Sequence, residues 1–337
     1  MKIKQTKNFL KLLLSSSLGV LLISGPILAA DFVFKYGNSQ PDFDARSQSM
    51  AFFEKELEKR SGGRIDVQNY FGAVLGNERE MMDQVTTGLL QATRGGFFSE
   101  ASPKFSILQL PFLVANWEEA ICVARSDWMK QIQAEASKGA YHIPATGISQ
   151  GFRAHTNNVR PLTTPADLVG LKMRVPGQEV YIETSKALGA SPQSMPFSET
   201  YQAFKTGVVD GQDNPPANIA AMKIQEVQKY MSITNYSTGP DPLIVNKAWY
   251  EKLPADLQKI FDEVAVEALA HSDKAYQEGE ADLIKELGKS MKINYVEGAE
   301  LAKFAAATQP IHELFVKKGD FTQADIDGAK AAAKSCN

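Results

Sequence analysis

The chain is poor in the residues that most often carry catalysis or bind metals. Its 337 residues include two cysteines and four histidines, and the histidines lack the spacing of a zinc site. The sequence has no glycine-rich phosphate loop and no dinucleotide-binding fingerprint. We therefore expect no metal and no cofactor.

With two cysteines, Cys122 and Cys336, a single internal pairing is available. In an oxidising, exported compartment such a pair can form a disulfide, which here would tie the C-terminal tail to the body of the protein. Because the sequence does not set the distance between the two residues, a disulfide and two free thiols both stay open.

Long hydrophobic runs are missing beyond the first thirty residues. No later segment approaches the ~18 consecutive apolar residues of a membrane-spanning helix. The N-terminus itself has four early lysines, an apolar region from Leu12 to Leu28 and a small-residue site before Asp31. This pattern is typical of an export signal cleaved after about Ala30, although a retained membrane anchor is the alternative. We expect a soluble, exported mature protein.

An excess of positive charge is also missing. The formal net charge is −3, and removal of the signal, which has four lysines and no acid, makes it −7. This balance argues against nucleic acid or an anionic membrane surface as a partner. An anion-binding cleft in such a protein needs local positive charge, so an arginine at a strand end is informative.

Strand and helix patterns alternate along the chain, which predicts an α/β protein with mostly parallel strands. About 307 residues remain after the signal, more than an average single domain, so we expect two lobes. A second α/β unit begins near Gly151. The run Leu243–Val245 indicates a strand that returns to the first lobe, and Pro254 to about Met291 has the pattern of one long helix.

The segment from Leu171 to Pro216 carries the strongest functional signal. Apolar residues alternate with Lys172 and Arg174, and Pro176 ends the strand, which leaves the Arg174 guanidinium at a strand terminus. Ligands bind beyond such ends in open α/β sheets. A guanidinium matches a carboxylate in two parallel hydrogen bonds. The segment therefore predicts a site for an organic anion.

Several runs together point to one family. They are G-L-K-M-R-V-P at 170–176 and G-A-S-P-Q-S-M-P-F-S-E-T-Y-Q-A-F-K-T-G-V-V-D-G-Q-D-N-P at 189–215, with Ser61–Ile65, Leu75–Glu80, Leu110–Leu113, Glu226–Tyr230 and Leu253-Pro254. In these runs the chain resembles the DctP family, the solute-binding proteins of tripartite ATP-independent periplasmic (TRAP) transporters. The resemblance covers nearly all of the mature chain.

The resemblance implies a fold and an organisation. We expect a periplasmic-binding-protein fold of two α/β lobes joined by hinge strands, with a long helix spanning both. Residues 1–30 would be the signal peptide. Lobe I would comprise 31–150 plus about 239–278, and lobe II 151–238 plus about 279–337. The expected partners are a small organic acid and the membrane subunits of a TRAP transporter, and we expect a periplasmic monomer that is not an enzyme.

The resemblance also assigns roles in lobe II. Arg174 would bind the ligand carboxylate, Arg153 would be a second ligand-contacting arginine, and Asn214 would contribute an amide. Phe197 would form an apolar wall. The alternatives are a structural salt bridge for Arg174, turn chemistry for Asn214 and core packing for Phe197. We interpret His155 as a loop or surface histidine.

For lobe I the candidates are Asn38, Glu78 and Arg94, which follow or flank strand ends facing the expected cleft. Glycines beside Arg94 permit close backbone approach. The sialic-acid-binding members have an acid where this chain has Gly96 and an amide where it has Gly177. These departures favour a smaller acid, such as a C4-dicarboxylate, a sugar acid, or a hydroxy or oxo acid.

Two alternative functions stay open. The scaffold could bind a zwitterionic compatible solute such as ectoine, whose cation would be caged by aromatic rings. The second is a secreted serine esterase, because Gly147–Gly151 fits the nucleophile-elbow pattern G-x-S-x-G around Ser149. That elbow requires a helix directly afterwards, whereas the sequence predicts a strand and a turn. Asp210 and Asp213 lack the spacing of a calcium loop.

Overall fold

Twelve strands and twelve α-helices make up the part of the chain that this computed structural model describes, residues 30–336. The predicted signal peptide lies outside the described residues. The strands are β1 Phe32–Gly37, β2 Ile65–Tyr70, β3 Ala92–Arg94, β4 Tyr141–His142, β5 Thr146–Ile148, β6 Ala154–Asn157, β7 Lys172–Val175, β8 Ser191–Ser194, β9 Gly211–Asn214, β10 Tyr230–Ile233, β11 Pro240–Asn246 and β12 Lys292–Tyr295. The helices are α1 Ala45–Arg60, α2 Glu78–Thr87, α3 Trp117–Arg125, α4 Asp127–Ala136, α5 Glu179–Ala187, α6 Thr200–Lys205, α7 Pro216–Ala221, α8 Lys247–Tyr250, α9 Ala255–Leu287, α10 Gly298–Thr308, α11 Pro310–Lys318 and α12 Gln323–Lys334.

The strands form two sheets, one in each lobe. The first has the order β2-β1-β3-β11-β4, with β5 also paired to β11, and the second has the order β12-β10-β6-β9-β7-β8. The predicted return of the chain to the first sheet is confirmed, since β11 pairs with β3. The prediction of mostly parallel strands is confirmed, since five of the six strands in each sheet run in the same direction. The exceptions are β11 and β6, which pair antiparallel to their neighbours after the chain crosses between the lobes.

Local capping explains where the helices near the cleft begin and end. In α1 the Asp44 side chain accepts from the backbone N of Arg46 at 3.0 Å, which satisfies a free N–H of the first turn. Asn77 and Glu80 form a capping box at the start of α2. Gly88 ends α2 with φ +79°, a conformation that glycine adopts without strain.

Helix α9, the predicted long helix, packs on both sheets. Its first half buries Leu257, Phe261 and Leu269 in the core of the first sheet, together with Phe34. Its last residue, Leu287, belongs to the core of the second sheet. The helix therefore spans both lobes. None of the helices in residues 30–336 combines the length and apolarity needed to cross a bilayer.

The last helix packs on the N-terminal half of the chain. Helix α12 lies against α3 and α4, and a disulfide joins Cys122 of α3 to Cys336 just beyond α12, with 6.1 Å between the Cα atoms. Of the two states that the sequence left open for these cysteines, the structure has the disulfide. The residue boundaries of the lobes stay a prediction, but the most extensive contacts of α12 are with elements of 31–150.

One local expectation in lobe II is corrected. His155 is not a loop or surface residue; it lies in β6, flanked by β9 and β10, and is 4% exposed.

Candidate ligand-binding site

A cleft between the two lobes encloses a cavity of about 360 Å³, a volume typical of small-molecule sites. Its walls come from the start of α1 and α2 in lobe I and from β7, β8 and β9 in lobe II. The charged residues in the lining are Arg46, Glu78, Arg79, Arg153 and Arg174. Four guanidiniums thus face one carboxylate in a protein with net negative charge, so this cleft attracts anions.

Arg174 lies in β7 and is 2% exposed. Its Nη2 and Nε donate to the backbone O of Met195 at 2.8 Å and 3.2 Å. Among the described residues no carboxylate lies within ion-pair distance of this guanidinium. Burial therefore lowers the pKa of Arg174 to about 10. A buried charge held only by a neutral carbonyl is costly, and an incoming carboxylate would compensate it.

Arg153, which precedes β6, already has a partner. Its Nε lies 2.5 Å from Oδ2 of Asp213, and its guanidinium stacks on the ring of Tyr181 at 4.1 Å. Burial on its own would lower the pKa of Arg153, but Asp213 raises it above the ordinary value. The charge of Arg153 is thus largely balanced by the carboxylate of Asp213.

Asn214 and Phe197 lie on the same side of the cleft. Asn214 ends β9, and its Oδ1 accepts from Nη2 of Arg153 at 3.3 Å. Phe197 is buried, with its ring centroid 6.0 Å from Cζ of Arg174. The structure thus brings together the four residues that sequence reasoning selected in lobe II, because β6, β7 and β9 are neighbours in one sheet.

Glu78 approaches the same cavity from lobe I. It is the first residue of α2, is half-buried and lines the cleft. Burial lowers the pKa of Arg174 and the Glu78 carboxylate partly opposes that effect, so the two charges are close enough to interact. A Cβ added at Gly96 would lie 2.4 Å from Cβ of Glu78. Gly96 therefore leaves the space that the Glu78 side chain fills.

Asn38 and Arg94 are not brought to the cavity. Arg94 is 1% exposed, with Nη2 2.6 Å from Oδ2 of Asp241 and Nη1 2.7 Å from Oγ of Ser49. Asn38 is fully buried and bonds Ser47 Oγ at 3.2 Å. Both expectations placed the side chain on the cleft side of a strand end, whereas the structure directs it into the interior of lobe I.

Sequence reasoning missed several cleft residues. They are Gln40, Arg46, Arg79, Gln109, Gln150, Gln178, Tyr181 and Asn218. The side-chain oxygens of Gln40, Gln109, Gln178 and Asn218 are buried and have no hydrogen-bond partner within the part of the chain that the structure describes. Such groups are costly unless paired, so the polar lining of this cleft is incompletely satisfied within the protein. The signal that could have found Arg46 is its place in the first turn after a capping aspartate.

The geometry around Ser149 does not fit a hydrolase elbow. Gln150 and Gly151, with φ of +60° and +109°, lead directly into β6 and not into a helix. The hydroxyl of Ser149 lies 3.5 Å from Nη2 of Arg46. An acid and a histidine later in the chain could complete a triad, namely Asp241 with His271 or His312, but Asp241 binds two arginines, His271 stacks on Phe52 and His312 bonds the backbone O of Pro111. Among the described residues no histidine or carboxylate is hydrogen-bonded to Ser149 Oγ.

The fold and this arginine-lined cleft define a two-lobed solute-binding protein, and comparison with known families agrees. Residues 36–318 match the model of bacterial extracellular solute-binding protein, family 7, the DctP family, and the chain belongs to that family. Its members are periplasmic binding proteins and not enzymes.

Relatives match most of the length of the chain. The C4-dicarboxylate-binding periplasmic protein DctP of Rhodobacter capsulatus is 30% identical over 97% of this chain and 99% of its own. The sialic acid-binding periplasmic protein SiaP of Vibrio cholerae is 33% identical over 77% of this chain and 80% of its own.

Solved structures show the same architecture. The sugar acid binding protein DctPAm from Advenella mimigardefordensis, in complex with galactonate, has a TM-score of 0.86 and 26% identity, covering 92% of this chain and 100% of its own. A TRAP periplasmic solute-binding protein from Polaromonas, bound to D-erythronate, has a TM-score of 0.84 and 28% identity over 89% and 98% of the two chains.

Proposed function

We propose that this protein captures a small organic acid in the periplasm through an ion pair between Arg174 and a ligand carboxylate, and delivers it to the membrane subunits of a TRAP transporter. The observation that carries the proposal is the buried guanidinium of Arg174, which lines the interlobe cavity without a carboxylate partner among the described residues. A ligand carboxylate supplies that partner.

The surrounding residues give the carboxylate a defined orientation. Nε and Nη2 of Arg174 hold Met195 O, so the guanidinium presents its remaining N–H groups to the cavity. Arg153 and Asn214 provide further donors on the same wall, and Phe197 forms its apolar side. Exclusion of water from the closed cleft strengthens these charge-assisted bonds. Because its pKa is about 10, Arg174 remains charged at neutral pH.

The cavity favours an acid smaller than sialic acid. Gly96 and Gly177, where the sialic-acid-binding members carry an acid and an amide, are close against lobe I side chains. A Cβ at Gly177 would lie 2.9 Å from Cζ of Phe97, and one at Gly96 would meet Glu78. Phe97 and Glu78 thus occupy space that a larger ligand needs. The binding of galactonate and D-erythronate by similar proteins supports a short acid.

The aromatic residues of the cleft argue against a zwitterionic ligand. A cage for an organic cation needs free ring faces. In this cleft Arg79 stacks over Phe97 at 4.1 Å, and Arg153 stacks over Tyr181 at the same distance. With two rings already covered by guanidiniums, the cleft repels a ligand cation, and a compatible solute such as ectoine is disfavoured.

Closure of the lobes around the ligand provides the signal to the transporter. Nε2 of Gln178 in lobe II donates to the backbone O of Gly96 in lobe I at 2.7 Å, a bond that exists when the lobes are together. Closure creates a surface that the open protein lacks. A micromolar dissociation constant, about −8 kcal/mol, suffices for capture and still permits release. Normal uptake by a variant locked open would refute this step.

A thermal-shift screen of residues 31–337 against a carboxylic acid library tests the proposal. Ligands that bind the folded form raise the melting temperature. The screen is repeated with Arg174→Ala and with Arg160→Ala, a lobe II arginine outside the cleft lining whose guanidinium also donates to backbone oxygens. We expect acids to stabilise the wild type and Arg160→Ala but not Arg174→Ala. No stabilising acid, or one indifferent to Arg174, would overturn the proposal.

A further inference from the structure

We propose that Arg46 is a second anion-binding group of the cleft, so that the ligand is a dianionic acid with one carboxylate at Arg174 in lobe II and the other at Arg46 in lobe I. This inference rests on the proposed function, because it assumes that an acid binds at Arg174. It adds the class of the ligand and names the lobe I residue that reads its far end.

Arg46 is fixed at the cleft by lobe I. It is the second residue of α1, is 3% exposed and lines the same cavity as Arg174. Its Nε lies 3.0 Å from Oδ2 of Asp241, which sets the plane of the guanidinium. At Gly95, with φ +82°, an added Cβ would lie 2.6 Å from Nη1 of Arg46. Glycine at this position therefore makes room for the guanidinium.

The ion-pair partner of Arg46 is shared. Asp241 also binds Arg94, with 2.6 Å between Nη2 and Oδ2, so one carboxylate serves two guanidiniums. Asp44 is the second acid near Arg46, and its carboxylate accepts from the backbone N of Arg46 and the hydroxyl of Tyr276 and forms no ion pair with the guanidinium. Arg46 thus has one carboxylate partner, which it shares with Arg94.

Arg46 also has donors to spare. Nη2 reaches only Ser149 Oγ, at the long distance of 3.5 Å, and Nη1 has no hydrogen-bond acceptor among the described residues. A second ligand carboxylate can accept from both nitrogens in the parallel geometry that arginine favours. Ser149, which has no base for catalysis, then has a role as a neighbour of this subsite.

Two guanidiniums on opposite lobes explain how a ligand can select the closed form. A dianion joins Arg174 of β7 to Arg46 of α1 and holds the lobes together through its own length. A monoacid with a terminal hydroxyl would leave Arg46 without an anion in a closed, water-poor cavity, which is unfavourable. Glu78, the single carboxylate of the lining, interacts with Arg174, and it is placed to accept from a ligand hydroxyl beside the first carboxylate.

Matched pairs of acids that differ only in the last carbon test this inference. We would measure binding by calorimetry for butyrate and succinate, threonate and tartrate, and gluconate and glucarate, together with the hits of the thermal-shift screen. For the skeleton that binds, we expect the diacid to bind at least tenfold more tightly than the monoacid. Arg46→Gln should remove this preference, because the diacid loses its second ion pair.

Arg46→Gln retains the Arg94–Asp241 ion pair, so we expect it to fold, and Arg46→Lys, which keeps the charge without the planar fork, should retain part of the preference. The wild-type comparison needs no variant. The inference would be overturned by a preference for the monoacid, or by a diacid preference that survives in Arg46→Gln. In either case, binding that depends on Arg174 would still uphold the proposed function. Acid binding that is absent or indifferent to Arg174 would overturn both.

Discussion

The carboxylate of Asp213 holds the guanidinium of Arg153 from behind the cleft, with 2.5 Å between Oδ2 and Nε. The hydroxyl of Tyr236 donates to the same carboxylate. Burial alone would raise the pKa of Asp213, but Arg153 lowers it below the ordinary value. Arg174, two strands away in the same sheet, has no such partner among the described residues. Two neighbouring buried arginines thus differ: one is paired within the protein and the other is available to a ligand.

This difference predicts opposite effects on stability. Arg153→Met should lower the free energy of unfolding by about 3–5 kcal/mol, because it leaves Asp213 buried without a counter-ion. Arg174→Met should leave the free energy of unfolding unchanged or raise it, since it removes a charge without a carboxylate partner. Urea unfolding without ligand measures both. An equal loss in the two variants would show that Arg174 is also a structural charge.

The buried His155 predicts a loss of stability in acid. Its ring stacks on Tyr236 at 5.2 Å, and its charged neighbours are Arg153 and Asp213. Burial lowers the pKa of His155 to about 4, below its value of about 6.5 in an unfolded chain. The unfolded state therefore binds the proton first. The contribution of the neutral His155 to the free energy of unfolding is complete above about pH 6.5 and is lost as the pH falls towards 4. It amounts to about 3 kcal/mol.

The measurement is the free energy of unfolding against pH for the wild type and for His155→Gln. The wild type should lose more stability than the variant between pH 6.5 and pH 4. The comparison isolates His155, because all other titrating groups are common to both proteins. Parallel curves would show that His155 is protonated as easily in the folded state as in the unfolded one.

The disulfide between Cys122 and Cys336 should stabilise the fold without affecting the site. It closes a loop with a sequence separation of 214 residues, and neither cysteine lines the cleft. Replacing both with serine should lower the free energy of unfolding by about 3–5 kcal/mol, through the added freedom of the unfolded chain. Ligand affinity should stay within about twofold. A large change in affinity would mean that α12 positions the cleft through α3.

A site residue could be predicted from the sequence where its own segment of the chain places it, and not where a distant partner does. Arg174, Arg153 and Asn214 lie at the ends of short strands of one sheet, and the segments that carry them are readable in the sequence. Arg46 and Arg94 both lie in short lobe I segments, and the sequence does not say which one faces the cleft. Arg94 is held in the interior by Asp241 on β11 and Ser272 on α9, which are distant along the chain.

The same contrast applies to the fold. The ends of α2 were predictable because Asn77 and Gly88 cap it through neighbouring backbone groups. The reversed directions of β6 and β11 were not predictable, since these strands pair with distant segments after the chain changes lobe. The burial of His155 follows from the position of β6 between β9 and β10, and no pattern in the neighbouring residues shows this.

Gly177 faces Phe97 across the cleft, and this contact predicts a variant that opposes closure. A Cβ at Gly177 would lie 2.9 Å from Cζ of Phe97, next to the bond between Gln178 and Gly96. Gly177→Ala should therefore strain only the closed form. We expect a penalty of about 1–3 kcal/mol, which corresponds to a loss of ligand affinity of about 5- to 150-fold.

Two further variants identify the cause of that loss. Phe97→Leu combined with Gly177→Ala should recover most of the affinity, because the shorter side chain makes room for the added methyl group. Gly139→Ala serves as a control, since the nearest atom to the added Cβ beyond the adjacent residues is the backbone oxygen of Ala136, at an ordinary contact distance of 3.6 Å, and its affinity should be that of the wild type. Calorimetry with the best acid of the screen measures all four proteins. If Phe97→Leu failed to rescue Gly177→Ala, the loss would come from the ligand contact itself and not from the meeting of the lobes.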